Sequence, residues 1–133
     1  MTAVAYGAVR VKKDATFPER LVQIHEGLRA AIREHKPEVA SVERLFVGKS
    51  VKSAMRTGEG RGIAVLTAGL AGLPVHEYTP AEVKRSVVGV GSAHKTQVQE
   101  MVRIILGLEK IPRPQDAADA LAIAICHCQR LTF

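Results

Sequence analysis

Three carboxylates stand where acids have little structural reason to be. Glu43 closes the strand-like run Val39-Ala40-Ser41-Val42. Asp116 and Asp119 open the apolar stretch Asp116-Ala117-Ala118-Asp119-Ala120-Leu121-Ala122-Ile123-Ala124-Ile125. Burying an unpaired charge is costly, and a divalent cation would remove that cost while giving the acids a task. The two aspartates are three residues apart, so on a helix they share one face. Near a helix N-terminus the dipole favours their ionised forms, and together they can hold a hard cation. Asp116 alone is better explained as an N-cap, and Glu43 equally well as a solvated strand-end acid. Asp119 is harder to dismiss, because its neighbours are almost all Ala, Leu or Ile. The trio predicts a metal-dependent site on an α/β scaffold, with Glu43 at the C-terminal strand edge, where open α/β sheets bind ligands.

Basic residues surround these acids in sequence. Lys84 and Lys95 flank the glycine-punctuated turn Val87-Val88-Gly89-Val90-Gly91. Arg44 and Lys49 bracket Phe46, an aromatic three residues after Glu43 that could stack on a nucleic-acid base or simply fill the core. The chain carries a net charge of +6 and a pI near 9.7, which favours a polyanionic partner without excluding a merely soluble basic surface.

The elements that must position these residues follow from patterning. A chain of 133 residues, 47% apolar and 24% charged, reads as one globular domain. At 4% aromatic with no Trp, its core must be aliphatic. No apolar run approaches the ~20 residues of a membrane span, and the first residues do not resemble a secretory leader. Cys126 and Cys128 are too close to bridge and fit reduced thiols in the cytoplasm. Cys126-His127-Cys128 lacks a second ligand pair for zinc and reads as a helix end.

Val4–Val11 is expected as a strand and Lys12-Lys13-Asp14 as a turn. Thr16-Phe17-Pro18-Glu19 is a capping box that starts a helix with the stripe Phe17, Leu21, Ile24, Leu28 and Ile32, ended by Pro37. Val39–Val42 is a second strand, apolar on both faces and so central in its sheet. Ser50 caps a helix towards Gly69, with Gly58 and Gly62 permitting close approach of another element or subunit. Leu73–Tyr78 is a third strand, and Thr79-Pro80-Ala81-Glu82 repeats the capping box. Ser92 caps a helix closed by Gly107, and the last helix runs from Asp116 to about Gln129. Strands alternating with helices give the α/β class.

Four blocks together resemble the RuvC family of bacterial Holliday junction resolvases. They are Val42-Glu43-Arg44-Leu45-Phe46, Tyr78-Thr79-Pro80-Ala81-Glu82-Val83-Lys84, Val88-Gly89-Val90-Gly91-Ser92-Ala93-His94-Lys95-Thr96-Gln97-Val98, and Asp116 through His127. The resemblance implies an RNase H-like fold, a mixed sheet flanked by helices. It implies a homodimer that cleaves four-way junction DNA with two Mg²⁺ ions, Mn²⁺ being an alternative, beside a branch-migration helicase. On this resemblance Glu43, Asp116 and Asp119 are metal ligands, and Lys84 and Lys95 act near the scissile phosphate. Phe46 stacks on junction bases, with Arg44 and Lys49 as further DNA contacts. The Gly58/Gly62 helix corresponds to the family's dimer helix.

One departure accompanies the match. The family opens with a strand carrying Asp-Pro-Gly, whose Asp is a fourth ligand, and this sequence has no such motif. Aligning Val4–Lys13 with the family's third strand keeps the spacing to Glu43, so the chain is expected to lack the first two strands, roughly 25 residues. A longer gene product is therefore expected, and the 133-residue form is expected to bind junctions with little cleavage. Two other readings stay open: a resolvase-like protein that binds branched DNA without cutting it, and an RNase H-like nuclease acting on RNA.

Overall fold

The computed structural model describes residues 1–44 and 58–131 in full, and the helical backbone of 51–57. Its elements are α1 (Phe17–His35), β1 (Ala40–Glu43), α2 (Val51–Leu70), β2 (Val75–Tyr78), α3 (Pro80–Val88), α4 (Lys95–Leu106) and α5 (Gln115–Leu131). The α/β class is as expected. Ala40 at the start of β1 donates to the carbonyl of Pro74, just before β2, at 2.9 Å. Start pairs with start, so the two strands run parallel, joined through α2. Contacts group the chain into two compact units, residues 9–77 and residues 1–8 with 78–133.

In the first unit, α1 begins where its capping box dictates. The Thr16 hydroxyl accepts from Glu19 N–H, and the Glu19 carboxylate accepts from Thr16 N–H, both at 3.3 Å. The helix ends at Lys36, which takes the left-handed conformation (φ 47°) immediately before Pro37. Four of the five stripe residues are half-buried, whereas Phe17 is more exposed and carries the Arg20 guanidinium 5.4 Å over its ring. α1 packs on α2. Between them His25 Nδ1 meets the Thr67 hydroxyl at 2.8 Å, and that hydroxyl donates to the Ile63 carbonyl at 2.7 Å. The turn at Lys12–Asp14 forms, with Ala15 N–H donating to the Lys12 carbonyl.

The strand expected over Val4–Val11 does not form. A strand is regular only when paired, and the sole ladder among the described residues is β1–β2. Instead Val9 lies against Gly27 of α1, where a Cβ would come within 2.6 Å of it.

The second unit is helical, with α3, α4 and α5 packed on one another. Its core joins Tyr78, Val83, Val87, Val98, Val102, Ala122, Ile125 and Cys126, aliphatic apart from Tyr78 and Cys126. The second capping box forms at Thr79 and Glu82. α4 is capped at His94 rather than Ser92, because residues 91–92 are spent in a turn after the left-handed Gly89. The Gln97 side chain accepts from His94 N–H at 2.8 Å, and Gly107 closes the helix at φ 65°.

Candidate metal centre and nucleic-acid contacts

The aspartate pair lies in the second unit. Asp116 sits inside the first turn of α5, one residue past Gln115, so it is not the N-cap. Its carboxylate still faces the favourable end of the helix dipole. Ala117 and Ala118 are each 1% exposed and anchor the turn to the core. That anchoring leaves Asp116 exposed and Asp119 half-exposed one turn on. Lys95, the first residue of α4, reaches Asp119 Oδ2 at 3.5 Å, with 57% of the lysine and 41% of the aspartate side chain exposed. Lys84 is half-buried on α3. The sequence thus named two partners, Lys95 and Asp119, without indicating that they touch.

Glu43 lies in the first unit, exposed at the C-terminal end of β1. Around it is a cluster that the sequence did not reveal. Arg61 of α2 donates from Nε to the Glu43 backbone carbonyl at 3.2 Å, and from its terminal nitrogen to the Glu77 carboxylate on β2. Arg44 Nε approaches the other Glu77 oxygen at 3.6 Å. The only local signal is the placement of Arg61 between Gly60 and Gly62. Phe46 and Lys49, the expected stacking and phosphate residues, and the cap Ser50 lie outside the described residues.

Among the described residues no group of three His, Cys, Asp or Glu side chains is gathered to hold a metal. Asp116 and Asp119 nevertheless suit one class of ion. Mg²⁺ commonly takes one or two carboxylates and fills its remaining positions with water and phosphate oxygens. Two hard carboxylates one turn apart, exposed beside a lysine, fit that pattern and offer no soft ligand to zinc.

Cys126-His127-Cys128 belongs to the last turns of α5, not to a metal site. Cys126 is buried and Cys128 exposed, both as free thiols. The Ser86 hydroxyl donates to Cys126 Sγ at 3.2 Å, and Tyr78 Oη meets His127 Nδ1 at 2.6 Å. Burial first, then the negative charge that Cys126 can carry, pushes the Tyr78 phenol above its ordinary pKa. On α4 the Glu100 carboxylate is held below its usual range by hydrogen bonds from Arg103.

Comparison with known proteins identifies the family. The family model described as crossover junction endodeoxyribonuclease RuvC matches residues 1–127. A crossover junction endodeoxyribonuclease RuvC of Chloroflexus aurantiacus is 55% identical over 121 residues, 91% of this chain and 74% of that protein. One from Heliobacterium modesticaldum is 48% identical over 133 residues, 100% of this chain and 82% of that protein. The Thermus thermophilus RuvC structure superposes with a TM-score of 0.82 at 37% identity, covering 92% of this chain and 75% of that one. The same protein in complex with Holliday junction substrate gives 0.85 at 36%, covering 92% and 74%. Likeness across almost the whole length leads to one conclusion: the chain belongs to the RuvC family of crossover junction endodeoxyribonucleases.

Proposed function

We propose that this protein is a structure-specific endonuclease that resolves Holliday junctions in recombination and repair, acting as one RNase H-like domain. The observation that carries the reading is the likeness, at TM-score 0.85, to a RuvC bound to its Holliday junction substrate. The basic net charge of +6 supports a DNA partner.

In this reading Glu43, Asp116 and Asp119 hold Mg²⁺, with Mn²⁺ as a substitute. The bound metal would supply Lewis-acid polarisation of the phosphate and an activated water. The chain's own residues do the rest. Asp116 and Asp119 stand in the first turns of α5, placed to accept a hard cation. Lys95 is kept near the reacting phosphate by Asp119, and an exposed pair at 3.5 Å is weak enough to be exchanged for a phosphate contact. Lys84 and Lys95 neutralise charge that develops on the phosphate oxygens. Arg44, Lys49 and Phe46 extend the DNA contact beyond Glu43.

The working unit is a homodimer built on α2. A Cβ added at Gly62 would meet nothing within 4 Å, and Leu66 and Leu70 of the same helix are exposed. This open, apolar helix surface suits a second copy, whose twofold symmetry would match the two cuts in a junction. We assign it a branch-migration helicase as a further partner and the cytoplasm as its compartment. No helix among the described residues is long and apolar enough to cross a membrane.

The test compares a four-way junction, a linear duplex of equal length and a structured RNA, in EDTA and in Mg²⁺. Preferential binding of the junction is expected, with little nicking in Mg²⁺ by this chain, which lacks the family's Asp-Pro-Gly acid. Equal binding of the linear duplex, or metal-dependent cut sites in the RNA alone, would overturn the proposal.

A further inference from the structure

We infer that Arg61 is a positioning residue for Glu43, and that Glu77 is the residue that aims it. The inference rests on the metal site proposed above and adds two residues to it. The guanidinium uses two different nitrogens on two different strands: Nε on the carbonyl of Glu43 and a terminal nitrogen on the Glu77 carboxylate. A planar fork engaged through two nitrogens fixes direction as well as distance, which a lysine cannot do. What it fixes is the end of β1. Glu43 is the last residue of that strand.

The neighbouring Arg44 plays a different part. Its side chain is 61% exposed and meets Glu77 only at 3.6 Å, whereas Arg61 is 25% exposed and held by both contacts. Glu77 thus serves two arginines, one fastened and one loosely held. When a phosphate approaches, Arg44 can leave Glu77 for it while Arg61 stays in place. Arg61 holds a catalytic carboxylate in register, and Arg44 reads the DNA backbone.

The sign of the metal response separates this from a simple charge effect. Removing a cation beside a metal site should, by electrostatics alone, strengthen cation binding. Loss of a group that orients a ligand weakens metal affinity, by roughly 10–100-fold in known sites. The experiment titrates Mn²⁺, followed by electron paramagnetic resonance of the free ion, into the protein and its Arg61→Gln, Arg61→Lys, Glu77→Gln and Glu43→Gln variants. Thermal melting of each variant restricts the comparison to folded protein. Arg61→Gln, Arg61→Lys and Glu77→Gln should all weaken Mn²⁺ binding by about tenfold or more. Unchanged or tighter binding in Arg61→Gln, with Glu43→Gln weakened, would overturn the role of Arg61 alone. Unchanged binding in Glu43→Gln would overturn the metal site itself. In metal-free junction binding, Arg44→Gln should lower the salt dependence and Arg61→Gln should not. The reverse order would also refute the division of labour.

Discussion

Lys95→Gln offers a sharp separation of folding from function. Lys95 and Asp119 are each more than a third exposed and 3.5 Å apart. Exposed pairs of this kind contribute about 0.2–1 kcal/mol, and solvent screening puts this one near the lower end. The substitution should therefore leave the urea midpoint almost unchanged. Junction binding should respond differently. Each phosphate neutralised by a protein cation contributes about −0.9 to the slope of log Kobs against log salt. Losing Lys95 should flatten that slope by about 0.9 per bound subunit, or about 1.8 if two copies engage the junction symmetrically. Between 50 and 200 mM salt, the smaller change means the unmutated protein loses roughly 3.5-fold more affinity than the variant. Filter binding in EDTA measures this without any need for cleavage. An unchanged slope, or destabilisation well beyond ~1 kcal/mol, would refute the view that the pair is a weak hold on a phosphate-seeking lysine.

Asp119→Asn should act in the opposite direction. In EDTA it frees Lys95 and removes a negative charge near the DNA, so junction affinity should rise a few-fold, while the gain on adding Mg²⁺ should vanish in the same assay. Lys36→Gly should stabilise the fold by about 0.5–1 kcal/mol in urea melts, because the cap of α1 places a lysine at φ 47° where glycine is unstrained. Ile125→Ala should cost about 2–5 kcal/mol in the same measurement, since this side chain is 1% exposed in the core of the second unit. The raised pKa of Tyr78 fixes the sign of a pH effect. Above pH ~10 the unfolded chain releases the phenolic proton while the folded one retains it, so stability should fall as pH rises. Tyr78→Phe should remove that contribution from the alkaline unfolding curve.

The features legible in the sequence were those decided within a few residues. Thr16/Glu19 and Thr79/Glu82 announce helix starts because both halves of a capping box lie on one turn. The helical placement of Asp116 and Asp119 followed from spacing, and α2 and β2 from their patterning. Where distant pairing decides, the reading failed. Val4–Val11 alternates like a strand, yet alternation cannot supply a neighbour to pair with. The cap of α4 moved from Ser92 to His94 because the preceding glycine turn consumed more chain than local preference indicates. Arg61 and Glu77 are 16 residues apart, and beyond the flanking Gly60 and Gly62 nothing local marks this arginine as one that grips a strand end. The family resemblance singled out Glu43 and Lys95, but only the folded chain shows which charges touch.

The two alanines between the aspartates bear on how this site would look to a mutational survey. Ala117 and Ala118 face inward at 1% exposure, and any larger side chain there would overpack the helix contact, typically at about 1–3 kcal/mol. Asp116 and Asp119 face outward, so their amides should fold normally. On the proposed function, a library selected for Mg²⁺-dependent junction binding alone would score all four neighbouring positions as intolerant and mark a continuous functional tetrad. Measuring protein abundance alongside would split it in two: variants of the alanines would be depleted from the soluble pool, while variants of the aspartates would be abundant and inactive.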